Sequence, residues 1–136
     1  MANKPDFQLL LALIAPLLVW PWVPAWEPHS GNGLLNSIAL ITLIPFAEEI
    51  LFRGLLQGWL LEKSWFNKTS AGISRANWLS SFAFAAAHVW QHALMLVPGY
   101  LLVSLVLGHF RERYRGITVP VLLHGYYNLG LLLVSN

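Results

Sequence analysis

The stretch from Leu34 to Leu61 narrows what this chain can become: it is almost uninterrupted apolar sequence, yet it carries Glu48, Glu49 and Arg53 in its second half. A run of this length exceeds the roughly 20 residues a helix needs to cross a bilayer. In a bilayer a bare charge costs about 3 kcal/mol or more, so charges there are paired and face a bundle interior or a wet cavity. On a helix, Glu49 and Arg53 stand four apart on one face, where an ion pair forms. Glu48 points about 100° away, which leaves it as the acid not engaged by Arg53.

Composition extends the membrane reading to the whole chain. Of 136 residues, 57% are hydrophobic and 10% charged, whereas soluble domains carry about 25% charged residues. A net charge of +2 is a weak electrostatic footprint for nucleic acid, and no nucleic-acid partner is expected. The absence of cysteine excludes a disulfide framework, a thiolate nucleophile and Cys-based metal sites.

In order, the apolar runs are Phe7 to Val23, broken by Pro16; Leu34 to Leu61, in which Pro45 kinks or starts a helix; Ala76 to Leu96; a shorter run from Pro98 to Phe110; and Ile117 to Val134. Trp20, Trp22 and Trp26, interleaved with Pro21, Pro24 and Pro28, suit an interfacial turn. Residues 1–33 therefore read as an N-terminal membrane helix with its Trp/Pro-rich turn, and residues 34–136 as the core that holds the polar residues. The fold expected is all-α, a polytopic transmembrane helical bundle of about five membrane helices. Lys4, the loop with Lys63, Lys68 and Arg75, and the loop with Arg111, Arg113 and Arg115 all fall on one side of such a threading. The positive-inside rule makes that side, and the N-terminus, cytoplasmic. Membrane lipids are the expected surroundings, and the arginines their headgroup contacts. Gly54 and Gly58 read as a close-packing face.

At about 1.5 Å per residue, Glu48 lies roughly 22 Å from Lys63, His88 roughly 20 Å from Arg75 and Asn128 roughly 20 Å from Arg115, with His124 one turn nearer the basic side. A carboxylate, imidazoles and an amide at one depth are equipment for activating water. Glu48 suits a general base, His88 holds the water, and His124 and Asn128 donate to a developing oxyanion. Other hydrolytic machineries are missing: Asp6 is the sole aspartate, and neither His-Glu-x-x-His nor Gly-x-Ser-x-Gly occurs. A second reading is a metal-dependent membrane hydrolase or oxidase, with zinc or iron held by Glu48, His88, His92 and His124. A third is a non-catalytic membrane scaffold locked by the same polar residues.

Glu48-Glu49-Ile-Leu-Phe-Arg53, then Phe84-Ala-Ala-Ala-His88, then His124-Gly-Tyr-Tyr-Asn128 resemble, in that order, the motifs of the CAAX prenyl protease and bacteriocin-processing (CPBP, or Abi) family of intramembrane glutamic-type proteases. Leu107 to Arg113 and Gly116 to Pro120 also look like that family's approach to its last motif, and the resemblance covers roughly residues 40 to 134. It implies that residues 34–136 are a catalytic core, with Glu48 and His88 the water-activating pair. It also implies that His124 and Asn128 form the oxyanion hole, with Glu49 and Arg53 as a supporting ion pair. No cofactor is implied, zinc belonging to the alternative. The implied substrate is a membrane-associated or prenylated protein or peptide. The chain has fewer spans than the prenyl-protein proteases, so a second copy in a homo-oligomer is a candidate for the missing walls.

Overall fold

The computed structural model describes residues 6–20, 33–89 and 96–134. Its elements are α1 (Phe7–Val19), α2 (Leu34–Ile41), α3 (Leu43–Glu49), a π-helix (Ile50–Gln57), α4 (Gly58–Leu61), strands β1 (Thr69–Ser70) and β2 (Ile73–Ser74), α5 (Arg75–His88), α6 (Val97–Tyr114) and α7 (Thr118–Val134). The packed elements are helical, as expected. The Trp/Pro-rich turn beyond Trp20, and Lys4, lie outside the described residues.

Leu34–Leu61 runs as 28 helical residues and is the one helix among the described residues long and apolar enough to cross a membrane. Phe7–Val19 and Thr118–Val134 are apolar but shorter. The other two expected spans are diluted by polar residues that the fold buries: Asn77, Ser80 and Ser81 in α5, and Ser104 in α6.

The short fourth run is corrected. Helix α6 spans 18 residues, Val97–Tyr114, with Arg111 and Arg113 inside its last turn. Pro98 is tolerated because it sits in the first turn, where no helical N–H partner is required. The arginines, taken as loop residues, are good helix formers and favour a helix C-terminus. Arg115 then ends α6 in the left-handed region, at φ 52°.

The chain divides into two compact units, Met1–Pro45 with Leu122–Asn136, and Phe46–Val121. In the first, two prolines expose helical carbonyls to partners from α7. Pro16 has no N–H for the carbonyl of Ala12, and the Tyr127 hydroxyl donates to that oxygen at 3.0 Å, beside Tyr126 to Leu13 O at 2.8 Å. Pro45 likewise leaves the Ile41 carbonyl without a partner from its own helix, after a break at Thr42 (φ −125°, ψ −70°). Gly125 packs onto that Ile41 oxygen so closely that any Cβ would collide with it. Asn128 Nδ2 donates to the neighbouring carbonyl of Leu40 at 2.9 Å.

In the second unit, α5 packs against α6 and the π-helix. Its inward stripe is Ala76, Asn77, Ser80, Ser81, Phe84 and Ala85, small enough over most of its length for close helix approach. Gly108 on α6 completes that approach, since a Cβ there would strike the Asn77 side chain. Asn77 donates to Leu105 O at 3.0 Å and accepts from Ser81 Oγ at 3.0 Å.

The loop between α4 and α5 carries a short β-hairpin, with Thr69 opposite Ser74 and Ser70 opposite Ile73. Its two turn residues, Ala71 (φ 53°) and Gly72 (φ 79°), both have positive φ, as the tight turn matching the right-handed strand twist requires. Ser74 leaves the hairpin as the N-cap of α5, accepting from Asn77 N at 2.9 Å and donating to Glu112 Oε1 at 2.5 Å. The hairpin and Glu112 thereby fix where α5 starts.

Candidate active site

Glu49, Arg53 and Gln57 follow one another at steps of four, and all three side chains are fully buried. Arg53 Nε lies 3.2 Å from Glu49 Oε2, the ion pair expected from the spacing. Its Nη2 crosses to α6 and donates to Ser104 O at 3.1 Å and to Ser104 Oγ at 2.8 Å. The guanidinium also lies 4.8 Å from the Phe84 ring centroid, so three elements hold it. Gln57 continues the polar line, donating to Gly108 O at 3.1 Å and to Glu112 Oε1 at 2.8 Å.

Glu49 ends α3, and Arg53 and Gln57 lie on the π-helix, whose eight residues are a long stretch for a form usually found as single turns and frequently at functional sites. The carbonyl of Arg53 accepts from Arg111 Nε at 3.1 Å. Arg111 was read as a headgroup contact; the structure gives it this inward bond instead.

Glu48 departs from the buried stripe, as its helical position requires, and faces the end of α5. Its Oε1 lies 3.9 Å from His88 Nε2, with the His88 side chain 15% and the Glu48 side chain 26% exposed. His88 Nδ1 is 2.8 Å from the carbonyl of Phe84, one turn back in α5. A carbonyl only accepts, so Nδ1 carries the proton of that bond, and in the neutral imidazole Nε2 presents its lone pair. Glu48 and Nε2 are then two acceptors facing one another, too far apart for a direct hydrogen bond. One water donating a proton to each would bridge them.

The imidazole lies against two aromatic rings, Phe84 at 4.4 Å between centroids and Tyr100 at 4.6 Å, inclined to it by 33° and 27°. Tyr100 escaped the sequence reading. It belongs to the run taken as short, and nothing in Pro98-Gly99-Tyr100 announces a partner twelve residues back.

His124 and Asn128 stand four apart on α7 in the other unit; His124 is buried, 5% exposed. The amide of Asn128 uses one of its two N–H groups on Leu40 O, leaving the second for another acceptor. Each unit thus holds part of the set read from the sequence: Glu48, Glu49, Arg53 and His88 in one, His124 and Asn128 in the other. His92, needed for the metal reading, lies outside the described residues. Among the described residues no group of three or more His, Cys, Asp or Glu gathers as a metal site. His109 meets the ring of Phe110 edge-on.

No curated protein and no solved structure matches the chain. The family model described as "Type II CAAX prenyl endopeptidase Rce1-like" matches residues 30–130, an interval that takes in the motifs at Glu48, His88 and His124. With a buried Glu49–Arg53 pair beneath a Glu48–His88 pair, and with that match over most of its length, the chain belongs to the Rce1-like family of type II CAAX prenyl endopeptidases, a family of membrane proteases.

Proposed function

We propose that the protein is a multi-pass intramembrane endopeptidase in which Glu48-activated water hydrolyses a peptide bond of a membrane-associated or prenylated protein, without a metal ion. The observation that carries the reading is the facing of Glu48 Oε1 and His88 Nε2 at 3.9 Å while Nδ1 is committed to the Phe84 carbonyl. A water held by both protons between these acceptors turns its oxygen lone pairs outward. As that oxygen bonds to the scissile carbonyl carbon, one proton passes to Glu48, with His88 holding the other. His124 and the free N–H of Asn128 donate to the oxyanion. Collapse of the tetrahedral intermediate breaks the C–N bond, and the proton on Glu48 goes to the leaving amine. Glu49 and Arg53 keep the helix that carries Glu48 in register.

The same reading places residues 1–33 as an anchoring helix and turn beside the catalytic core of 34–136, with the N-terminus and basic loops in the cytoplasm. Exposed apolar side chains such as Leu51, Leu55 and Trp59 then face lipid, and a second copy completes the walls of the site.

The test is cleavage of membrane-anchored peptides, prenylated and not, by detergent-purified protein in the presence of chelator. Glu48→Gln keeps the shape and removes the base, and the rate is expected to fall about 100-fold or more. Full activity in Glu48→Gln would refute the mechanism, loss of wild-type activity in chelator would refute metal independence, and equal cleavage of both peptide sets would refute a requirement for the prenyl group.

A further inference from the structure

His88 is the last residue of α5. Rotation of its ring about the Cβ–Cγ bond would exchange Nδ1 with a carbon, break the bond to Phe84 O and turn Nε2 away from Glu48. Something must block that rotation if the imidazole is to keep one orientation.

The rings of Phe84 and Tyr100 lie against the imidazole at 4.4 Å and 4.6 Å between centroids, inclined to it by 33° and 27°. A planar ring that rotates sweeps its edge through the space beside its faces, where those rings lie. Phe84 belongs to the same helix and moves with His88. Tyr100 belongs to α6, so it supplies the fixed reference.

We propose that Tyr100 is the positioning residue for His88: its ring blocks imidazole rotation, holding Nδ1 on the Phe84 carbonyl and the Nε2 lone pair toward Glu48. The catalytic consequence rests on the reading of Glu48 and His88 as the water-activating pair; the effect on the imidazole does not. The flat ring is the part of Tyr100 that does this.

The experiment compares Tyr100→Phe and Tyr100→Leu with the wild type and Glu48→Gln, measuring kcat, KM and the 15N spectrum of imidazole-labelled protein, the His88 signals being assigned by their loss in His88→Gln. Tyr100→Phe is expected to keep kcat within about threefold and a single Nδ1–H tautomer, because the stack persists. Tyr100→Leu is expected to lower kcat by about 100-fold with KM nearly unchanged, as misplaced catalytic groups do, and to give mixed His88 tautomers. If Tyr100→Leu does not accumulate, Tyr100→Met, of similar flexibility but without a flat face, replaces it with the same expected results. A single Nδ1–H tautomer in these variants overturns the proposal. Mixed tautomers with wild-type kcat overturn its catalytic part. If Glu48→Gln also retains activity, the reading of the site fails, while mixed tautomers in Tyr100→Leu still uphold the hold of Tyr100 on His88.

Discussion

Arg53 reaches Ser104 with a single nitrogen, Nη2, that donates to both the carbonyl and the hydroxyl of that residue. The same guanidinium lies against Glu49 through Nε, so one side chain joins the π-helix to α6 while neutralising a fully buried acid. An ammonium on a flexible stem cannot reproduce this fork. Arg53→Gln leaves the Glu49 carboxylate without its counter-charge and is expected to cost about 3–5 kcal/mol. Arg53→Lys should fall between the two. Thermal unfolding in detergent measures both, and a wild-type melting temperature for Arg53→Lys would show that the Ser104 bonds contribute nothing.

Gly108 gives a prediction about packing. A methyl group there meets the Asn77 side chain, which is held by Leu105 O and Ser81 and cannot swing aside freely. Gly108→Ala is expected to destabilise by about 1–3 kcal/mol through overpacking. Because the clash is with a side chain, combining it with Asn77→Ala should give a total loss smaller than the sum of the single losses. Simple additivity in the unfolding data would contradict this contact.

The hairpin turn offers a gain. Ala71 holds a positive φ of 53°, which costs a residue with a Cβ about 1 kcal/mol or more. Asn-Gly is the favoured pair for a turn with two such residues. Ala71→Asn should therefore stabilise the hairpin by about 1 kcal/mol, read as slower exchange of the Arg75 amide proton, which is bonded to Lys68 O at 3.0 Å. Unchanged or faster exchange would speak against it.

Asn128 is predicted to affect two readouts. Its bond to Leu40 O makes Asn128→Ala less stable by about 1 kcal/mol, the scale of an interhelical hydrogen bond in a membrane protein. Asn128→Asp should be worse, since it sets a carboxylate against a carbonyl oxygen. Activity is expected to fall in both. An Asn128→Ala protein as stable as wild type but inactive would show that the Leu40 bond is not stabilising.

Sequence exposed what depends on one helix at a time. The pairing of Glu49 with Arg53 follows from spacing alone, and so does the divergence of Glu48 from that face. Pro45 as a break in its helix is legible for the same reason. What lies between elements was hidden: Pro16 and Pro45 say that carbonyls are exposed, but not that Tyr127 and Gly125 answer them. Asn128 reads equally as a donor to substrate or to Leu40. Arg111 looked like a surface charge because charge, in an apolar chain, is taken for loop; its bond to Arg53 O depends on the packing of α6. Tyr100 carries no charge and no motif, so nothing short of the α5–α6 packing brings it to His88.

The π-helix makes chain length inside the membrane segment a variable of its own. Where hydrogen bonds skip five residues instead of four, the segment accommodates one residue that an ordinary α-helix would not. Deleting a single residue, Leu55, should let the segment revert to α geometry with the faces on either side kept in register, so that Gln57 and Leu60 hold their places relative to Glu48 and Glu49. A loop absorbs an insertion or deletion by changing its path. This segment would absorb it by changing its hydrogen-bond pattern, keeping Gln57, which bonds Gly108 and Glu112, in line with Glu48 beside His88.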